Sequence, residues 1–169
     1  STTLSMGPGY QNQVFYSMQN GEVLNTDNKN WDIAFCTSGS MSSSIRINGG
    51  QGTQLYLYPD GDTSSWNNFN ASNINSWSPI YNSDTNWFIG AFDKNSSSPY
   101  DLGWGIYSMI THYVYGDSIY AIKTVNGNWK KLWIQQLAGG EYFFKYANLD
   151  GTNENITSVK KSDFNNKNF

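Results

Sequence analysis

Two side chains in the stretch YSMITHY can ligate a transition metal: the Met109 thioether and the His112 imidazole. Both groups are haem-iron ligands by their chemistry. They stand three residues apart, so in a regular strand they face opposite sides. They serve one iron only where the chain turns between them. The plainer reading is a surface or hydrogen-bonded histidine and a core methionine. His112 is the single histidine and Cys36 the single cysteine. A metal cluster built from Cys and His is therefore excluded, as is a disulfide within the chain. Met6, Met18 and Met41 are further thioethers, and Met41, inside the Ser/Gly loop TSGSMSSS, is the most mobile of them.

Other chemistries find less support. A Ser/His/Asp triad needs a serine presented on a strained turn, and no G-x-S-x-G motif exists. Paired carboxylates for glycoside cleavage would come from Asp60, Asp62, Asp84, Asp93, Asp101, Asp117, Asp150, Glu22, Glu141 or Glu154. Nearly all of these fall in predicted turns, where Asp is expected for local hydrogen bonding. DGD at Asp60–Asp62 and NLDGTNEN at Asn148–Asn155 carry oxygen ligands for calcium, but neither has the EF-hand spacing, and both read as turns. Trp66, Trp77, Trp87 and Trp104 lie among Asn, Ser and Gly. An exposed set would stack sugars or a porphyrin; the commoner role of such large rings is to fill a core.

The elements that must position these groups are strands. The chain has 169 residues, a length natural for one domain over 1–169. Ten Lys+Arg against thirteen Asp+Glu give a net charge of −3, which argues against an electrostatic grip on nucleic acid. Charged residues make up only 14% of the chain, and 22 Asn, 21 Ser and 16 Gly supply its polarity. Such a mixture, with 17% aromatics, is common in secreted and surface β proteins. No apolar run is long enough for a membrane span. Strand-like runs QVFYSM, WDIAFC, SIRIN, TQLYLY and WFIGAF alternate with Gly/Asn/Ser turns. WDIAFC also reads as the site of a buried, inert Cys36 thiol. Residues 59–86 read as a long loop carrying a short helical turn. WGIYSMITHYVYG reads as extended. DSIYAIKTV, NWKKLWIQQL and EYFFKYANL read as an antiparallel meander that turns at Asn126-Gly127 and Gly139-Gly140 and ends at Asp150-Gly151.

Taken in order, SMGPGYQNQVFYSMQNGEV, NWDIAF, SIRINGG, NSDTNWFIGAFD, GWGIYS and YAIKTVNGNWKKLWI with FFKYANLDG resemble the HmuY family of Bacteroidetes. The resemblance implies a compact all-β, sandwich-like fold with long loops and a haem held in a cleft between them. It also implies haem capture outside the cell, delivery to an outer-membrane receptor, and two axial ligands drawn from separate segments. In that family the second ligand follows a Gly-Trp and an aromatic-Ser pair. Gly103, Trp104, Tyr107 and Ser108 match, and Met109 falls on the ligand position. The first ligand is expected in SWSPIYNSDTNW, which contains neither His nor Met, so His112 or Met41 would have to reach across the cleft.

The expectation is thus a non-enzymatic, secreted or cell-surface haem-binding protein, with Met109 on the metal and His112 at the cofactor. It would span no membrane and bind no nucleic acid. The end at Phe169 fits removal of a C-terminal sorting domain. The alternative is a module of the same fold that has lost haem and binds a carbohydrate or a partner protein.

Overall fold

The computed structural model describes residues 13–23, 31–39 and 41–164. Met6, the opening STTLSMGPGY and the terminal NNKNF lie outside them. The architecture is all-β, with two antiparallel sheets packed face to face. The first sheet has four strands in the order β2-β1-β3-β4: β1 is Gln13–Ser17, β2 Gly21–Val23, β3 Ile33–Cys36 and β4 Ile45–Ile47. The second sheet runs β12-β11-β10-β9-β5-β6, where β5 is Gln54–Leu57, β6 Pro79–Ile80, β9 Tyr120–Lys123, β10 Trp129–Ala138, β11 Glu141–Asn148 and β12 Asn155–Lys160. Two further strands, β7 (Gly105–Tyr107) and β8 (Val114–Gly116), form a hairpin that joins this sheet through β8. Among the described residues no helix is long and apolar enough to cross a membrane.

The core lies between the sheets. Ile33, Phe35, Ile45 and Ile47 from the first meet Leu55, Ile122, Leu132, Ile134 and Phe144 from the second. Phe35 packs 4.8 Å from Tyr142 and 5.1 Å from Phe144, and Tyr16 meets Phe144 edge-on at 5.0 Å. The alternation expected for β4 holds, since Ile45 and Ile47 are both buried. Arg46 between them is buried too, because its guanidinium lies 3.5 Å above the Trp87 ring. Cys36 is a buried free thiol.

A bulge in β10 decides where the hairpin hangs. Residues Trp129 to Leu132 pair with β9, whereas Gln136 and Leu137 pair with β8. The register against β11 shifts between Ile134 and Gln136. The extra residue bends the strand so that its two halves have different neighbours on one edge. The close approach of β8 requires glycine, because a Cβ on Gly116 would stand 1.7 Å from the Ile134 carbonyl oxygen.

Three expectations are corrected. WFIGAF is not a strand: it ends in a 3-10 turn, Ala91–Asp93. Gly90 there packs so tightly on β4 that a Cβ would lie 1.9 Å from the Ile45 carbonyl oxygen. WGIYSMITHYVYG is not one extended run but the β7–β8 hairpin with a turn at 109–111. The meander does not stop at Asp150-Gly151, because β12 follows and pairs along β11.

Candidate functional site

The turn of the β7–β8 hairpin is built by local hydrogen bonds. Ser108 N–H donates to the Tyr113 carbonyl at 2.9 Å, and His112 N–H donates to the Ser108 carbonyl at 2.8 Å. The Ser108 hydroxyl oxygen accepts from the backbone N–H groups of Ile110 and Thr111, each at 3.3 Å. His112 closes the turn at φ +60, a left-handed conformation that histidine tolerates better than branched residues do. The chain therefore turns between Met109 and His112, and the opposite-face argument for a straight strand does not apply.

Met109 stands 65% exposed at this turn, beside Ile110 at 93%. The core-methionine reading is thereby excluded. Met109 lines neither of the two cavities described next. The His112 ring is oriented by Tyr107, whose hydroxyl lies 2.7 Å from Nδ1. Tyr107 in turn stacks on Tyr100 with centroids 6.4 Å apart and planes 8° from parallel. When Nδ1–H donates to the Tyr107 oxygen, the Nε2 lone pair is left free for a metal.

His112, Tyr107 and Met41 line one small cavity of about 40 Å³, floored by Leu102, Val114, Leu137 and the Gly139-Gly140 turn. Met41 and Leu102 also line an adjoining cavity of about 360 Å³. Its walls include Phe88, Ile89, Asp93 and the serines of the loop between β3 and β4. The structure thus brings Met41 and His112 to a common space and leaves Met109 exposed on the same turn as His112. Phe88, at 57% exposed, and Ile89 were not predicted as site residues. Inside the supposed strand WFIGAF nothing marked their faces as open.

The loop bearing Met41 is fixed from the second sheet. The Tyr142 hydroxyl lies 2.8 Å from the Cys36 carbonyl and 3.0 Å from the Ser42 carbonyl. Lys161, in the 3-10 turn Lys161–Phe164, donates through Nζ to the Gly39 carbonyl at 3.0 Å and the Ser42 carbonyl at 2.5 Å. Burial pulls the Lys161 ammonium down to about 8, an effect that the neighbouring Cys36 would oppose when ionised. Asp93 anchors the other wall. Its Oδ2 accepts from Gly90 N–H at 2.8 Å, the Ser44 hydroxyl at 2.9 Å and Ile45 N–H at 3.2 Å. Burial pushes the Asp93 carboxyl up to about 7, against these hydrogen bonds and the charge of Arg46.

The other sequence candidates separate cleanly. Trp66 and Trp104 are buried, while Trp77 and Trp87 are half-buried. Trp66 Nε1–H donates to Glu154 at 2.7 Å, and Lys131 and Lys145 lie over its ring. Asp62 and Asp150 accept from the backbone and hydroxyl of Ser64 and Thr152 in their own turns, as the turn reading requires. Among the described residues no three His, Cys, Asp or Glu side chains gather as a metal set. The soft donors beside the hairpin are therefore two thioethers and an imidazole. Together with the aromatic and aliphatic walls, they suit an iron porphyrin.

The family model described as HmuY protein matches residues 9–147. No curated protein and no solved structure matches the chain.

Proposed function

The chain belongs to the HmuY family, and from that premise we propose that it binds haem in the groove between the β3–β4 loop and the β7–β8 hairpin. Met109 takes the iron from the hairpin turn. Met41 is the donor available on the opposing loop, and His112, oriented by Tyr107, is the nitrogen donor within the same groove. Bound iron porphyrin is the cargo, and the chain's own residues grip and orient it. Phe88, Ile89 and Leu102 offer apolar contact to the macrocycle, at roughly 25 cal/mol per Å² of apolar area removed from water. The role that goes with this reading is haem capture outside the cell and hand-over to an outer-membrane receptor.

The observation that carries the reading is the exposure of the Met109 thioether, at the position that the resemblance carried by Gly103, Trp104, Tyr107 and Ser108 implies for a ligand. The test is an absorption titration with haemin. The expected result is a shifted Soret band in the wild type, weakened by Met109→Ala and altered in position by His112→Ala or Met41→Ala. A Soret band that haemin leaves unchanged in the wild type, or one indifferent to Met109→Ala, overturns the assignment.

A further inference from the structure

A cavity larger than the two in the haem groove shares no lining residue with them. It measures about 690 Å³, within the roughly 300–1,000 Å³ usual for small-molecule sites. The crossover between β5 and β6 forms most of it, with Lys94 and Asn95 closing one side. No His, Met or Cys lines it, so it offers haem iron no soft or imidazole donor.

Its chemistry is mixed. Tyr81 is 65% exposed. Trp77 is held rigidly, edge-on to Tyr58 at 5.7 Å and to Phe69 at 6.1 Å, while Tyr58 and Phe69 stack on each other at 4.5 Å. Two aromatic side chains thus border the space, one exposed and one clamped. Besides Ser76 and Ser78, the polar residues there are Asp60, Asn73, Lys94 and Asn95. Among the described residues none of these four side chains makes a hydrogen bond or an ion pair.

Several Asx residues nearby are used within the fold instead. Asp62 accepts from Ser64, Asn70 from Ser72, and Asn86 from Phe88 N–H, each closing its own turn. Asn82 bridges Ile47 and Ala91. Asp60, Asn73 and Asn95, which face the cavity, close no turn through their side chains and keep those donors and acceptors available. One carboxylate and one ammonium leave the lining without net charge, which disfavours an anionic or a cationic ligand. Free amides serve vicinal hydroxyls as paired donors and acceptors, and aromatic faces take the C–H faces of a sugar ring.

We propose that this cavity is a carbohydrate-binding site for a neutral oligosaccharide, formed by Trp77 and Tyr81 with Asp60, Asn73 and Asn95. It is independent of the haem groove and does not rest on haem binding.

The test is a two-dimensional ¹H–¹⁵N NMR titration of the whole chain with neutral malto-, cello-, xylo- and chito-oligosaccharides. A separate haemin titration runs alongside. The expected result is that at least one oligosaccharide shifts the Trp77 indole and the Asn73 and Asn95 side-chain amides. Tyr81→Ala and Asn95→Ala, both at exposed positions, should each weaken that binding by about tenfold while leaving the rest of the spectrum and the haemin response unchanged. The proposal is overturned if no oligosaccharide in the panel moves those resonances. Shifts that fall instead around Met41 and His112, or binding that survives both substitutions, also overturn it. Failure of the haemin titration alone bears only on the haem reading.

Discussion

Asp93 ties one wall of the proposed haem groove to the core, and its burial has a measurable consequence. An unfolded Asp ionises near 3.8, while the native carboxyl holds its proton to about 7 because burial disfavours the charge. Between those values the native state binds more protons than the unfolded state, so unfolding free energy falls as pH rises. The stabilisation is complete below about pH 4 and is lost as pH climbs through 7. From about pH 5 to about pH 8 the wild type should lose on the order of 2–3 kcal/mol, equivalent to roughly 5–10 °C in melting temperature at this chain length. Asp32, also raised by burial against hydrogen bonds from Met18 and Val125, contributes with the same sign. Asp93→Asn isolates the Asp93 share. The amide oxygen can take over the three hydrogen bonds that Oδ2 accepts, and the amide never ionises. Thermal or urea unfolding across this pH range should show the variant near the wild type at pH 5 and more stable than it at pH 8. A variant that keeps the full wild-type slope, or a wild type with none, would refute the argument that this carboxyl is desolvated.

Other perturbations probe the elements that hold the groove. Gly116→Ala drives a methyl into the Ile134 carbonyl. It should cost about 2–4 kcal/mol and release β8 from β10, read as faster amide exchange at Val114 and Tyr115. Lys161 is a base whose burial lowers its native ionisation to about 8. The native state therefore sheds its proton first, and stability should rise from about pH 8 toward 10 in a thermal series; Lys161→Met should flatten that rise. The same substitution removes the donor to Gly39 and Ser42 and should speed limited proteolysis within residues 37–44.

The sequence was legible wherever one periodicity decided the outcome. SIRIN and the meander from Tyr120 onward alternate cleanly and are bounded by Asn-Gly, Gly-Gly and Asp-Gly turns, so strand identity followed from local chemistry. WFIGAF failed because its β-prone residues are overruled by tertiary packing. Gly90 must approach β4, and Asp93 must cap the turn beneath it. The hairpin at Met109 failed because the turn residues Ser108 and Thr111 lie inside IYSMITHYVY, an aromatic stretch with no Gly, Pro or Asn. Its turn depends on backbone N–H bonds accepted by the Ser108 hydroxyl and on a left-handed His112, signals that composition does not announce. The sequence marks Met41 only as a thioether in a Ser/Gly loop. That it shares a cavity with His112 depends on pairings far apart in the chain, which periodicity does not encode.

Those distant pairings explain how Met41 and His112, on two different loops, come to line one cavity. The β3–β4 loop belongs by sequence to the first sheet, yet its position is set by Tyr142 on β11 and by Lys161 just after β12. The hairpin is bound to the C-terminal half of β10, beyond the bulge that separates it from β9. Both attachments meet at the Gly139-Gly140 turn between β10 and β11: Lys161 N–H donates to the Gly140 carbonyl, and the same two glycines floor the cavity that Met41 and His112 share. The β10–β11 pair, with the most extensive strand register among the described residues, thus serves as the common frame that places both loops. A ligand gripped between these loops would bridge two elements referenced to the same backbone, so little conformational entropy would remain to be lost in bringing them together. By the same logic, changes in the β10–β11 turn should disturb the groove more than changes at the exposed ends of either loop.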